Sequence, residues 1–248
     1  MTETVDAVDE RSVEAVERLV AEGAKLASAA RSDGQSELNI SRTVLRWAGE
    51  RFGDRLVALT SMADETMVHL AATTIPGLKL AFLDTGYHFA ETIGTRDALT
   101  ATLNLRLINV TPQLTIAEQE TRFGPNLFDT DPNQCCAIRK VEPLNRILSE
   151  YDAWISGMRR VEAPTRSEID LVEVDRRRVL VKINPLARWS DTDVAAYIQE
   201  HQLLLNPLRQ LGYQSIGCQP CTRLPLPGEA ARAGRWAGRD KTECGLHT

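Results

Sequence analysis

RLVALTSMADETMVHLAATTIPGLKLAFLDTG, residues 55–86, is the most regularly patterned segment of this chain. The segment at 55–61, which contains the apolar run LVAL, is followed by helix-spaced apolar residues from Met67 and by a second mostly apolar segment at 78–83. Two buried strands joined by a helix make a βαβ unit, and such units build a parallel sheet covered on both faces. We therefore predict an α/β fold with a doubly wound, mostly parallel sheet.

The same alternation continues on both sides of this segment. We predict further helices at 88–102, 115–123 and 136–149, a helix from Ser190 to about Glu200, and strands at 105–110, 153–156 and 179–183. Residues 1–52 read as a helical N-terminal segment, with Ser41 capping a second short helix through Trp47. The chain from Leu203 onward is rich in Gly and Pro, which predicts loops and, at 222–248, a mobile C-terminal tail. All 248 residues are expected to form a single domain.

Composition excludes several classes of protein. The chain holds 29 basic and 34 acidic residues, a net charge of −5, which argues against a nucleic-acid partner. No apolar run is long enough to span a bilayer, and the acidic N-terminus is not a secretory signal, so we expect no membrane partner. These features predict a cytoplasmic protein.

Five cysteines are the most informative residues. An odd number in a reducing compartment argues against disulfides. Four of them form two pairs, Cys135-Cys136 and Cys218-x-x-Cys221. Neighbouring side chains on a helix diverge by about 100°, so adjacent thiolates suit two iron atoms of a 4Fe-4S cluster better than one zinc ion. Zinc and plain buried thiols remain alternatives.

The fifth cysteine, Cys244, stands alone near the C-terminus, where burial is not expected. We therefore interpret it as a nucleophile, with His247 lowering its pKa or contacting a leaving group. Arginines, which suit phosphate or sulfate, lie in two groups: Arg159, Arg160 and Arg166 after the strand at 153–156, and Arg232 and Arg235 in the tail. The loops after the first two strands are where a doubly wound sheet binds a nucleotide, although each also fits a capped structural turn.

Three separated motifs carry a family resemblance: CCAIRKVEPL at 135–144, CQPCTR at 218–223 and ECGLH at 243–247. Together they resemble the iron–sulfur branch of the assimilatory sulfonucleotide reductases, the adenosine 5′-phosphosulfate (APS) reductases, from about residue 40 to the end. FLDTG at 82–86 and the segment from Trp154 to Arg166 are also similar. The resemblance implies a fold like that of the adenine-nucleotide α-hydrolases.

The family resemblance also implies a cofactor and a reaction mechanism. Cys135, Cys136, Cys218 and Cys221 would bind a 4Fe-4S cluster, with Lys140 between cluster and substrate. Cys244 would attack the sulfur of APS and expel AMP, and thioredoxin would release sulfite from the S-sulfonated cysteine. Residues expected to contact the phosphosulfate are Arg166, Arg232, Arg235 and His247, and those expected around the nucleotide are Ser61, Asp64, Glu65, Leu83 and Gly157.

This chain departs from the family pattern in its first nucleotide loop. Met62 stands where the family usually has a small residue, and Asp64-Glu65 reverse a common order of the two acids. The alternatives are reduction of 3′-phospho-APS (PAPS) or of both substrates, a non-catalytic cluster- or zinc-bearing adaptor, and an ATP-dependent adenylating enzyme. The absence of a Ser-Gly-Gly-type loop disfavours ATP cleavage. The oligomeric state, including a homo-oligomer, is left open.

Overall fold

The computed structural model describes residues 12–239, 241 and 243–246. Its helices are α1 (Val13–Ser32), α2 (Glu37–Phe52), α3 (Glu65–Thr74), α4 (Ala90–Thr102), α5 (Ile116–Phe123), α6 (Leu127–Thr130), α7 (Pro132–Cys136), α8 (Glu142–Leu148) and α9 (Asp191–His201). Its strands are β1 (Leu56–Thr60), β2 (Lys79–Leu83), β3 (Arg106–Val110), β4 (Ala153–Ile155), β5 (Val172–Asp175) and β6 (Leu180–Ile183). A π-helical turn, Ala137–Val141, joins α7 to α8. None of the described helices has the length and apolarity needed to cross a membrane.

The six strands form one sheet in the order β3-β2-β1-β4-β6-β5. All neighbouring strands are parallel except β5, which pairs antiparallel with β6 at the edge. The predicted mostly parallel α/β sheet is thus confirmed. Strand β5 was not predicted, because Val172–Asp175 is a short edge strand whose sequence, VEVD, has only two apolar residues.

Helices cover both faces of the sheet, and β1 is therefore buried on both sides. Leu56 and Ala58 pack with apolar residues of α1, α2, α3 and α9, whereas Val57 and Leu59 pack with residues of α8. Successive strand side chains point to opposite faces, so this continuous apolar run contributes to two cores.

The start of α2 differs from the prediction. The helix is capped by Ser36, whose hydroxyl accepts from the Asn39 N–H, five residues before the predicted cap. Ser41 lies inside the helix and is fully buried. Its hydroxyl donates to the Pro185 carbonyl (2.6 Å) and accepts from the Trp189 indole (2.9 Å), so it ties α2 to the segment before α9.

The region after α9 lacks long elements, as predicted. Its described residues form two 3-10 turns, Pro207–Arg209 and Gln219–Cys221, and an isolated bridge between Thr222 and Arg235. Two side chains nevertheless anchor the tail: Trp236 is 1% exposed, and Leu246 packs against the α8 face of the sheet. The mobility of 222–248 and the single-domain organisation remain predictions.

Candidate active site

A cleft of about 240 Å³ lies at the carboxyl ends of β1, β2 and β4, where a doubly wound sheet binds its ligand. Loops after these strands form its floor, and residues of the 214–218 and 232–246 regions close it from the other side. The predicted site residues that line it are Ser61, Asp64, Leu83, Lys140, Gly157, Arg166, Arg232, Arg235, Cys218 and Cys244. The fold therefore brings motifs from the whole chain into one cleft. His247 lies outside the described residues.

The loop after β1 explains the unusual Met62. This residue has φ 53°, a left-handed conformation that favours glycine, and its N–H donates to the Thr60 hydroxyl (2.9 Å). Its side chain is completely buried in the core. The family's preference for a small residue here matches this backbone conformation, and burial of the methionine side chain offsets its cost.

Asp64 and Gly157 meet at the bottom of the cleft. Asp64 caps α3 by accepting from the Met67 N–H (3.1 Å). A Cβ built on Gly157 would lie 1.8 Å from the Asp64 Oδ2, so no larger residue fits there without moving the carboxyl group. Burial, and then the charge of Glu162, raise the pKa of Asp64 to about 7.

We expect this raised pKa to appear in the pH dependence of stability. Between pH 3.8 and about 7 the folded protein keeps a proton on Asp64 that the unfolded chain has released, so the free energy of unfolding falls as pH rises. Asp64→Asn retains a capping oxygen but lacks this titration. Urea unfolding from about pH 5 to about pH 8 should show wild-type stability falling relative to the variant. If the free energy of unfolding changed with pH in the same way in both proteins, the raised pKa of Asp64 would be contradicted.

Glu65 does not line the cleft. It is 1% exposed, and its carboxylate accepts from the Asn206 backbone N–H (2.7 Å) and from Arg209 Nε (3.2 Å). These contacts tie the start of α3 to the segment 206–209. The structure therefore gives Glu65 a buried structural contact, in contrast to the expected position beside the nucleotide.

Replacing Glu65 with Ala should lower the free energy of unfolding by roughly 2–4 kcal/mol, because it leaves a buried N–H and an arginine without their acceptor. Chemical denaturation measures the loss. Asp152→Ala is a control on the surface: its carboxylate also accepts two hydrogen bonds, in this case both from Arg55. That change should cost about 1 kcal/mol or less. Equal losses in both variants would argue against a special contribution of Glu65.

Three arginines gather where the tail meets the cleft. Arg166 Nε and Nη2 donate to the two carboxylate oxygens of Glu243 (both 3.1 Å), and its Nη1 donates to Glu162 (2.5 Å). Arg232 Nη2 also donates to Glu243 (3.0 Å). Burial opposes the charge of Arg166, but Glu243 and Glu162 raise its pKa above its usual range. Burial lowers the pKa of Arg232.

Arg235 lies against the Trp236 ring, with 4.6 Å from its guanidinium carbon to the ring centroid. Its Nη1 donates weakly to the Ile216 carbonyl (3.3 Å), and its buried Nε has no hydrogen-bond partner in the part of the chain that the structure describes. Gly217 makes room for it, since a Cβ there would lie 2.3 Å from Arg235 Nη2. Arg235 therefore retains an unused donor at the cleft.

The other two predicted arginines are engaged elsewhere. Arg159 lines the cleft but pairs with Asp191 (2.9 Å), and Arg160 donates to the Ile169 carbonyl and to Asp170 without lining the cleft. His88, which was not predicted as a site residue, also lines the cleft, and its Nε2 bonds to the Leu83 carbonyl (2.9 Å). Glu162 and Glu243 were not predicted as partners of Arg166 either. The position of Glu243 in the ECGLH motif was the only feature of the sequence that could have identified it as a site residue.

The four paired cysteines converge on one small cavity beside the cleft. All four are buried and form no disulfide bonds. They line the cavity together with Tyr87, Phe128 and Arg139. Burial, and then the neighbouring cysteines, raise the pKa of Cys135 to about 12, and burial also raises the pKa values of Cys136 and Cys221. No group of three or more Cys, His, Asp or Glu side chains among the described residues is arranged to hold a single metal ion.

Two hydrogen-bond donors around these cysteines lack acceptors. The Tyr87 hydroxyl and the Trp236 indole Nε1 are buried and have no hydrogen-bond partner among the described residues, and both side chains pack on the cysteine group. The Thr85 hydroxyl lies 3.3 Å from the Cys218 sulfur. Buried donors without partners are costly, so they indicate that a group accepting hydrogen bonds belongs among the cysteines. Four soft sulfur ligands and these donors fit an iron–sulfur cluster.

Lys140 connects the cysteine cavity to the cleft. Its Nζ lies 3.9 Å from the Cys136 sulfur and 5.8 Å from the Trp236 ring centroid. A spacing of four residues on a helix predicts Lys140 on the same face as Cys136. The contact between the two side chains confirms this, although the turn between them is π-helical. Burial opposes its charge, but the thiols of Cys218, Cys136 and Cys244 raise the pKa of Lys140 above its usual range. The ammonium group is therefore a fixed positive charge at the cleft.

Cys244 lines the cleft and also contacts the cysteine group, but it is only partly buried. Its neighbours on both sides are held: Glu243 by Arg166 and Arg232, and the Leu246 carbonyl by Arg178 Nη1 (3.3 Å). The lone thiol is thus positioned beside Lys140 at the same end of the cleft as the arginines.

Comparisons with known proteins agree with this geometry. The model of the phosphoadenosine phosphosulfate reductase domain matches residues 55–224. The chain is 55% identical over 204 residues, 82% of this chain and 86% of the relative, to a protein of Streptomyces coelicolor named adenosine 5′-phosphosulfate reductase. A crystal structure of phosphoadenylyl-sulfate (PAPS) reductase from Candida auris aligns with a TM-score of 0.65 and 29% identity, covering 74% of this chain and 90% of that one.

A more distant likeness concerns the fold alone. FMN adenylyltransferase from Candida glabrata aligns with a TM-score of 0.56 at 13% identity, covering 86% of this chain and 76% of that chain. This agrees with the expected likeness to folds that bind adenine nucleotides. Because the domain model spans more than half of the chain, and the Streptomyces relative is similar over most of both proteins, this chain belongs to the phosphoadenosine phosphosulfate reductase domain family, the sulfonucleotide reductases.

Proposed function

We propose that this protein is an APS reductase of sulfate assimilation, which converts APS to sulfite and AMP with electrons from thioredoxin. The observation that carries the proposal is the position of Cys244. This thiol lies outside the four-cysteine group and lines one cleft with Lys140, Arg166, Arg232 and Arg235. The cleft also contains the strand-end loops that suit a nucleotide. The names of the related proteins support APS as the substrate.

The residues support a two-step transfer. The Cys244 thiolate attacks the sulfur of APS, an S–S bond forms, the bond from sulfur to the phosphate oxygen breaks, and AMP leaves with that electron pair. One thiol of thioredoxin then attacks the Cys244 sulfur and expels sulfite, and its second thiol resolves the mixed disulfide. Thioredoxin loses two electrons and the sulfonate sulfur gains two. A reducing, cytoplasmic setting is part of this proposal.

Charge neutralisation is the main contribution of the protein to the first step. AMP is a stable leaving group, so the cleft needs to place the thiolate beside the sulfonate and to offset their mutual repulsion. Lys140 and Arg235 are suited to this because one is buried beside the thiol and the other retains a free donor. Asp64 and Gly157 also line the cleft and are the residues proposed to lie around the nucleoside.

We also propose that Cys135, Cys136, Cys218 and Cys221 hold a 4Fe-4S cluster. The supporting observations are the cavity that all four cysteines share and the Tyr87 and Trp236 donors that have no hydrogen-bond partner among the described residues. When bound, the cluster would supply a fixed negative charge that holds Lys140 in place. The thiols of thioredoxin, acting through Cys244, already account for the two electrons.

Anaerobically purified protein should therefore contain about four iron atoms and four acid-labile sulfides per chain. A Cys218→Ser variant should lose most of both, because a hydroxyl replaces one of the four sulfur ligands. Metal analysis and the visible absorption spectrum measure this outcome, with Cys244→Ser as the cysteine variant that should keep its iron. One zinc per chain would support the zinc alternative, and metal-free folded protein would support plain buried thiols.

The function itself is tested by anaerobic incubation with APS in the absence of thioredoxin, followed by peptide-mapped mass spectrometry. We expect a sulfonate adduct on the peptide that contains Cys244, and release of sulfite when reduced thioredoxin is added. An adduct formed with PAPS but not with APS would change the substrate assignment. Absence of both adducts on protein that retains its metal would overturn the reductase proposal in favour of an adaptor.

A further inference from the structure

We propose that Glu243 is a positioning residue that competes with the substrate's phosphosulfate for Arg166 and Arg232, so that substrate binding displaces it and moves Cys244. This inference rests on the proposed function. It concerns a residue that the chemistry of sulfonate transfer does not itself require. The carboxylate occupies the two arginines on which the anionic end of the substrate is expected to bind.

The hydrogen bonds show why both anions cannot be bound in the same way. A guanidinium group offers its donors along fixed edges. The edge of Arg166 formed by Nε and Nη2 is fully used by the two oxygens of Glu243, and its Nη1 bonds to Glu162. Arg166 is only 8% exposed, so it has little freedom to turn another edge to the cleft. A phosphosulfate that binds Arg166 in a bidentate manner must therefore take the place of Glu243.

Arg232 strengthens the same competition. Its Nη2 donates to the Glu243 Oε2 that also accepts from Arg166. Both guanidinium groups line the cleft, and so does Glu243. The carboxylate thus bridges the two cations inside the cleft, and its departure would leave two adjacent positive charges for a ligand with two adjacent anionic groups.

Glu243 directly precedes the nucleophile. Consecutive Cα atoms are about 3.8 Å apart, so a displacement of Glu243 that includes its backbone also moves the Cys244 backbone. Contacts on the other side, between the Leu246 carbonyl and Arg178 and between Leu246 and the sheet, limit where the segment can go. Binding of the anion and positioning of the thiol are consequently coupled through one residue.

This competition predicts tighter substrate binding when Glu243 loses its charge. In the ligand-free protein Glu243 occupies Arg166 and Arg232, and this lowers the apparent affinity for APS. Glu243→Gln reduces the population of the state in which the arginines are occupied. We expect APS to bind Cys244→Ser/Glu243→Gln about tenfold more tightly than Cys244→Ser, by calorimetry, because the Cys244→Ser background prevents turnover. A purely structural role for Glu243 would weaken binding or leave it unchanged.

Glu162→Gln is the matched control, since it removes the other carboxylate from Arg166 but lies outside the tail. In protein that retains Cys244, iodoacetamide should alkylate this thiol several-fold faster in Glu243→Gln than in wild type, and at the wild-type rate in Glu162→Gln. Unchanged or weaker APS binding in Glu243→Gln, or equal tightening in both variants, would overturn the inference. If Cys244→Ser itself does not bind APS, the proposed function fails and this inference fails with it.

Discussion

Cys244→Ser is expected to lose thioredoxin-dependent turnover by at least about 10³-fold, because a serine hydroxyl is almost fully protonated at neutral pH and is a weak nucleophile toward sulfur. Cys244 is the free cysteine outside the buried four-cysteine group, and its partial exposure leaves it accessible in the cleft. The variant should form no sulfonate adduct with APS. It should still bind the nucleotide, since the strand-end loops are unchanged.

The measurements are sulfite release, adduct formation by peptide-mapped mass spectrometry, and iron content. Retained iron together with lost turnover separates a missing nucleophile from a damaged metal site. Turnover within tenfold of wild type would assign the nucleophile elsewhere. A sulfonate adduct on one of the paired cysteines of the wild-type protein would do the same.

Lys140→Met is expected to lower kcat/KM by about 10²–10³-fold, which corresponds to roughly 3–4 kcal/mol of transition-state stabilisation. Methionine fills a similar volume but carries no charge. The lysine is 8% exposed and lies among Cys136, Cys218 and Cys244, so its loss removes the buried positive charge next to these sulfur atoms when the thiolate approaches an anionic substrate. Most of the loss should appear in kcat, since Arg166, Arg232 and Arg235 remain to bind the substrate.

Lys241 offers a closely matched comparison. Its ammonium group also lies over the Trp236 ring, at 5.7 Å from the centroid compared with 5.8 Å for Lys140, but it does not line the cleft. Steady-state kinetics of Lys241→Met should therefore stay within a few-fold of wild type. Equal losses in the two variants would indicate that the charge acts on the indole or the cysteine group and does not act at the cleft.

The fold was largely predictable because its elements are marked by local patterns. The continuous apolar run of β1, the helix-spaced residues of α3 and the run of β2 already require a parallel sheet buried on both faces. Prediction failed where context overrides local sequence. Ser41 resembles a helix cap, but it is buried inside α2 because Pro185 and Trp189 supply hydrogen-bond partners from a distant segment.

The motifs that contribute residues to the candidate site could be predicted from the sequence. Spacing alone separated Cys244 from the paired cysteines, and helical periodicity placed Lys140 beside Cys136. Glu65 shows the limit of this reasoning. A residue next to Asp64 was expected at the nucleotide, but the first turn of α3 directs its carboxylate toward Asn206 and Arg209, 141 and 144 residues away along the chain.

Residue types, their spacing and hydrophobic periodicity are properties of short segments, so the amino-acid sequence alone was sufficient for the α/β class, the two cysteine pairs, the separate thiol and the candidate arginines. Folding of the sheet decided which of these residues meet. The contact of Glu243 with Arg166, 77 residues apart, and the convergence of Cys135–Cys136 with Cys218–Cys221 arise only when loops from several strands reach one edge. Such contacts depend on the packing of the whole chain, and no local pattern records them.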